Sequence, residues 1–225
     1  MSVPVLLGKA KMLIVLLTIL AMCSGTLHVR AEYRGPRNQV YLFKPLTTTL
    51  ILLIAVQAGA PELALYKYAI VAGLVCSLAG DIFLMLPSDK FVPGLASFLV
   101  GHLFYITAFT WGTGFGFSLW LLAPFVIFGV VMFRVLSPHL GKMKVPVIAY
   151  MAVILVMAWQ AWERVGQTGQ IAALLASVGA VFFVVSDSAL AIDRFRGQFK
   201  NARAVVLSTY YAAQWLIALS VAKSV

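Results

Sequence analysis

Acidic side chains are scarce in this sequence. Seven Asp and Glu stand against seventeen Lys and Arg in 225 residues, and only 11% of the chain is charged. A soluble domain of this size carries roughly 25% charged residues. The chain is 62% apolar, and 225 residues cannot wrap a core that large away from water. Most of it must therefore dissolve in hydrocarbon. Cysteine is equally sparse. Cys23 and Cys76 both fall inside apolar runs and make neither a disulfide framework nor a zinc site. The three histidines, His28, His102 and His139, are far apart. There is no HExxH, GxSxG or Walker loop, so no cofactor and no metal is expected. The one conceivable metal set would join Asp81, Asp187 and His102.

What the chain has in quantity is apolar sequence and positive charge. Its net charge is +10. On a soluble protein that would point to nucleic acid. Here the basic residues lie in short connections between apolar runs, where they set topology and touch anionic headgroups, so no nucleic-acid partner is expected.

A spanning helix needs about 20 mostly apolar residues. Eight runs qualify: 11–28, 41–59, 66–87, 92–112, 117–136, 145–163, 170–192 and 203–223. They are too long and continuous for the alternation of a membrane barrel. The expected fold is an all-α integral membrane bundle in one domain over residues 1–225. Turn signals separate the runs at Gly35-Pro36-Arg37-Asn38, Gly59-Ala60-Pro61, Pro87-Ser88-Asp89-Lys90, Gly112 to Gly116, Ser137-Pro138 and Arg196-Gly197. Lys9 and Lys11 before the apolar stretch Met12 to Met22 look like a signal peptide, and Leu20-Ala21-Met22-Cys23 loosely like a lipoprotein cleavage box. Met22 is too large for the position before a lipoprotein cysteine, and seven more runs follow, so the segment is read as a retained first span.

Positive charge sets the sides. Lys9, Lys11, Lys67, Arg164 and Lys223 fall on one side, and the other twelve of the seventeen basic residues fall on the opposite one. This places the odd-numbered loops in the cytoplasm and both termini outside, although Lys9 and Lys11 pull the other way. An echo between Gly80-Asp81-Ile82-Phe83-Leu84 and Ser186-Asp187-Ser188-Ala189-Leu190 raises the possibility of two parallel four-helix halves.

An ionisable group in hydrocarbon is costly and usually faces the protein interior with a job to do. Asp81 lies about six residues before the end of the third run and Asp187 at about the same depth in the seventh. Both should sit roughly 8–9 Å below the cytoplasmic surface at 1.5 Å per residue. Lys44, Ser97, His102, Tyr105, Tyr210, Tyr211 and Gln214 fall in the same half of the membrane, while the outer half of those helices is nearly bare. The bland readings are a structural ion pair for an aspartate, packing for His102, snorkelling for Lys44 and interface placement for the tyrosines. Asp89, Glu32, Glu62, Glu163 and Asp193 are expected to be solvated or to cap helix ends. Two buried carboxyls without a metal suggest general acid–base chemistry.

Lys44-Pro45-Leu46, Gly80-Asp81-Ile82-Phe83-Leu84, Phe98 with Gly101-His102 and Tyr105, Ser186-Asp187 with Leu190-Ala191, and Tyr210-Tyr211-Ala212-Ala213-Gln214 together resemble the YhhN family, which includes the animal lysoplasmalogenases. Each motif is short, but their order on eight spans covers nearly the whole chain. The resemblance implies hydrolysis of the sn-1 vinyl ether of a lysophospholipid, with Asp81 and Asp187 as the acid–base pair. In such a reaction His102 or Tyr210 would orient water, and Lys44 or Arg194 would hold the phosphate. The expected site is thus Asp81, Asp187 and His102 for chemistry, with Lys44, Tyr105, Tyr210, Tyr211, Gln214 and Arg194 on the lipid. The rival readings are a proton-coupled transporter, a lipid-binding protein, or an ester or amide hydrolase using Ser77 or Ser186, neither of which has an evident base.

Overall fold

The computed structural model describes residues 3–58 and 64–222. Among them are eight helices long and apolar enough to cross a membrane. They are α1 (Val3–Arg34), α2 (Arg37–Gln57), α3 (Ala64–Met85), α4 (Phe91–Thr110), α5 (Leu119–Leu136), α6 (Lys144–Thr168), α7 (Ile171–Ala191) and α8 (Ala202–Ala222). No strand occurs among the described residues, and the chain is a multi-pass membrane protein.

The bounds of α3, α4, α5, α7 and α8 agree with the expected runs to within two residues. α1 and α6 are longer than expected, because hydropathy measures the hydrocarbon crossing and not the helix. Val29 to Arg34 is polar but contains no breaker, so α1 continues to Gly35. α6 likewise runs past Glu163 until Gly169 ends it in the left-handed conformation, φ 63°, with its N–H on the Val165 carbonyl. The break between α1 and α2 is shorter than the expected turn, since Arg37 and Asn38 are already helical after Pro36. Ser137-Pro138 forms part of a short 3₁₀ segment. The expected turn at Gly59-Ala60-Pro61, together with Glu62 and Lys223, lies outside the described residues.

Adjacent helices pack as α1 on α2, α3 on α4 and α7 on α8, with α6 bridging α4 and α7 and α2 reaching α3 and α8. α5 lies at the edge against α6, and only Met132 and Leu136 of it are buried. Small residues bring the pairs close, as membrane helices require. Gly80 faces the Phe98 ring of α4, where a Cβ would come within 2.6 Å of Cε2. Gly179 of α7 lies against the Ala213 carbonyl of α8, 2.9 Å from where a Cβ would be. The first of these contacts sits one residue before Asp81. α1 is tied into the bundle by Ser24 on Thr47 of α2 (2.8 Å) and His28 on the Tyr211 hydroxyl of α8 (2.7 Å).

Candidate active site

Asp81 and Asp187 each lie four residues before the last residue of their helix, α3 and α7. These two helix ends point the same way, so the carboxyls share one level of the bundle. Both line a single cavity of ≈ 770 Å³ at that end. Its walls come from the C-terminal turns of α1, α3 and α7 and the N-terminal turns of α2, α4 and α8. Exposed Arg37, Arg194, Gln198 and Arg203 stand at its mouth, and buried Asp81 and Tyr210 at its floor.

Asp81 is 1% exposed and fully engaged. Oδ2 accepts hydrogen bonds from the Thr48 hydroxyl (2.6 Å) and the Tyr210 hydroxyl (2.7 Å), and Oδ1 lies 3.5 Å from the Lys44 ammonium. Lys44 and Thr48 are one turn apart on α2, so both reach Asp81 from one helix face. Behind Tyr210 the order continues inward. Tyr105 donates to Gln214 Oε1 (2.7 Å), and Gln214 Nε2 donates to Tyr210 (3.3 Å). Three α4 and α8 side chains thus aim one run of donors at Asp81. Asp187 is less enclosed. Its one described side-chain partner is the Tyr150 hydroxyl of α6, which donates to Oδ2.

The expected residues fall into three groups. Asp81, Asp187, Lys44, Tyr210 and Arg194 line the cavity. Lys44 is not a snorkelling residue, because its side chain is only 12% exposed and turned inward to the carboxyl. Tyr105 and Gln214 are buried beneath the floor and touch Asp81 only through Tyr210, so the structure does not give them a place on the cavity wall. Tyr211 turns away to His28. His102, expected as a catalytic group, is fully buried below the cavity among Tyr105, Tyr150 and Phe183, with ring centroids 4.6 Å from Phe183. Among the described residues neither of its ring nitrogens has a hydrogen-bond partner. Ser186 lines the cavity, and its hydroxyl donates to the Val206 carbonyl (3.0 Å).

Four contributors were missed from sequence. Thr48 and Tyr150 hold the two carboxyls, and Glu32 and Arg203 form an ion pair at the rim (3.1 Å). The one available signal was the one-turn spacing of Lys44 and Thr48. Arg194 belongs to a π-helical segment, Ile192–Arg196, that continues α7 and ends at Gly197. Such wide turns cluster at functional sites. The Arg194 guanidinium pairs with Asp89 (2.8 Å) and lies 4.0 Å over the Phe91 ring, tying the α3–α4 loop to the end of α7.

The YhhN family pattern matches residues 39–221, a stretch that holds both aspartates. The uncharacterized membrane protein YhhN of Escherichia coli is 31% identical over 204 residues, 90% of this chain and 97% of its own length. Lysoplasmalogenase TMEM86B of Homo sapiens is 36% identical over 167 residues, 71% of this chain and 66% of that protein. Lysoplasmalogenase TMEM86A of Bos taurus is 39% identical over 160 residues, 69% of this chain and 65% of that protein. No solved structure matches. The length of the match, its residues and the eight-helix architecture agree, and the chain belongs to the YhhN family.

Proposed function

We propose that this chain is an intramembrane hydrolase that cleaves the vinyl ether bond of lysoplasmalogens, releasing a fatty aldehyde and glycerophosphoethanolamine or glycerophosphocholine. The relatives named lysoplasmalogenase support a hydrolase. The observation that carries the reaction type is the pair of carboxyls from α3 and α7 on one cavity with a basic mouth. A lysolipid has this polarity, with phosphate at the headgroup and the cleavable bond just below it. Arg194 and Arg203 at the rim are placed for the phosphate, and Lys44 stands between the rim and Asp81.

A vinyl ether hydrolyses when its β-carbon takes a proton, which makes the α-carbon and oxygen an oxocarbenium ion. Water adds to that ion and loses a proton to give a hemiacetal, which collapses to aldehyde and alcohol. The overall reaction consumes one water and returns the proton. One acid and one carboxylate suffice. Asp81 has two hydroxyl donors and a lysine ammonium, the contacts a carboxylate needs to keep its charge when buried. It stabilises the cation and receives the proton of the attacking water. Asp187, with a single tyrosine donor, is the proton source. Tyr210 is the hydroxyl nearest to Asp81 that also lines the cavity, and it positions the water. The mouth lies at the end of the bundle rich in Lys and Arg, which the positive-inside rule puts in the cytoplasm, with the termini opposite. In a bacterium the membrane would be the inner one.

Incubating purified protein in detergent with a lysoplasmalogen and with its ester analogue tests the reading. Aldehyde from the vinyl ether without fatty acid from the ester is expected. Fatty acid alone, or aldehyde only when a proton gradient is imposed across vesicles, would overturn it.

A further inference from the structure

Asp187 stands on the walls of two cavities. One is the charged cavity already described. The second, of ≈ 40 Å³, adjoins it, sharing Leu84, Phe91, Phe98 and Leu190, and is otherwise bounded by residues of α4, α6, α7 and the π-helical segment. Asp187 and Tyr150 are the polar residues of this second wall. The rest is apolar, including Leu84 of α3, Leu95 and Phe98 of α4, Val147 of α6 and Phe195 of the π-helical segment.

A lipid with its headgroup in the charged cavity must send its hydrocarbon tail somewhere. The bundle axis below is closed. Tyr210 packs edge-on against Phe98 (5.9 Å) and Phe183 (5.5 Å), and Phe183 against the buried His102. Toward α1 the space is filled by Tyr211 and its bond to His28. The path past Asp187 differs in two ways. It is lined by hydrocarbon, and its outer wall can yield. Val147, Ala191 and Phe195 there pack into an apolar cluster that includes Met132, Met143 and Met151. Methionine is unbranched and repacks readily.

We infer that the small cavity is the entrance of a subsite for the hydrocarbon tail of a single-chain phospholipid, with Asp187 at the junction of headgroup and tail. The inference rests on the lysophospholipid reading and deepens it. A volume of ≈ 40 Å³ takes only the first one or two carbons, since a water molecule alone occupies roughly 30 Å³ in the liquid. The remainder of the tail passes between Leu95 and Phe195, where Phe91 and Phe195 now meet edge-on at 5.7 Å. This placement puts the first two tail carbons, which are the vinyl carbons of a lysoplasmalogen, beside Asp187. It therefore gives Asp187 the β-carbon, the atom that must be protonated.

The test uses a lipid that cannot be cleaved: a hexadecyl ether lysophosphoethanolamine with a photoreactive diazirine near the head of its tail, bound to the full-length protein. Photolysis and peptide mapping are expected to place the label at Phe91 to Phe98, around Val147, and at Leu190 to Phe195. Label confined to α1, α2 or α8, or no competable label, would overturn the subsite. Val147→Phe should reduce labelling about tenfold by overfilling the entrance. If that variant does not fold, Val147→Ala should instead raise labelling, and unchanged labelling in both would count against the subsite. The two readings fail separately. Label in the small cavity without aldehyde from a vinyl ether substrate rejects the reaction and keeps the subsite. Aldehyde with label elsewhere keeps the reaction and rejects the subsite.

Discussion

Both ends of this bundle bury charge, and they use it differently. At the end opposite the cavity, Glu163 of α6 accepts from the Ser118 amide (2.7 Å), the Ser118 hydroxyl (2.9 Å) and the Trp159 indole (2.8 Å). Next to it Arg164 donates to the carbonyls of Phe109 (3.2 Å) and Trp111 (2.7 Å) and lies 5.0 Å over the Tyr66 ring. Gln160 bonds both the N–H and the C=O of Gly116. These three residues satisfy backbone groups left open between α4 and α5, where no helix can satisfy them itself. At the cavity end the carboxyls of Asp81 and Asp187 are held by side chains of other helices and still border open space. A buried charge is therefore no sign of a site by itself. The sign is a buried charge with room beside it.

The sharpest test of that distinction is to neutralise each carboxyl without changing its shape. Asp187→Asn and Asp81→Asn should each lower aldehyde release about 10³-fold, the range of a lost general acid or base, with the protein still inserted and monodisperse. Substantial turnover in both would erase the difference between the two ends.

Lys44→Met comes next. Removing one partner of a buried ion pair leaves the other uncompensated. Asp81 should then hold a proton, visible as a carboxylic-acid carbonyl band in the infrared that is missing from an Asp81→Asn background. Turnover should fall about 10²-fold, less than with loss of the carboxyl itself, since Thr48 and Tyr210 still hold it. Thr48→Val removes one hydrogen bond to a charged group, worth about 1.5–3 kcal/mol, and should lower turnover roughly tenfold. A larger loss from Thr48→Val than from Lys44→Met would mean that geometry outweighs charge at Asp81.

Depth was legible in the sequence and direction was not. Hydropathy located the eight spans, and counting residues from their ends placed Asp81, Asp187, Lys44 and Tyr210 in one layer, as found. His102 and Tyr105 satisfy the same count, yet they lie behind the cavity floor, because which face of α4 looks inward depends on how α6 and α7 pack on it. Thr47 and Thr48 could not be told apart either. Both hydroxyls bond one turn back on α2, as threonine in an apolar helix does by default, and only Thr48 also crosses to α3. The expectation of a nearly bare outer half concerned α2, α3, α4, α7 and α8; the polar groups at that end belong to α6, which extends beyond the expected end at residue 163. Glu163 is thus inside a helix, and it secures the start of a different one.

That last residue gives the smallest predicted effect on catalysis and completes the comparison. Glu163→Gln keeps the size of the side chain but replaces one acceptor oxygen with an N–H donor. The amide nitrogen would turn to the Ser118 hydroxyl, which can accept, and Oε1 would keep the Ser118 amide and the Trp159 indole, so the three contacts survive without the carboxylate's charge. A hydrogen bond to a charged group contributes about 1.5–3 kcal/mol against about 0.5–1.5 for a neutral one, so the thermal midpoint in detergent should fall. Turnover per folded molecule should stay within about twofold, because nothing at this end borders the cavity. A Glu163→Gln protein that unfolds at the normal temperature but loses turnover would show the two ends to be coupled, and would reassign Glu163 from holding a loop to taking part in function.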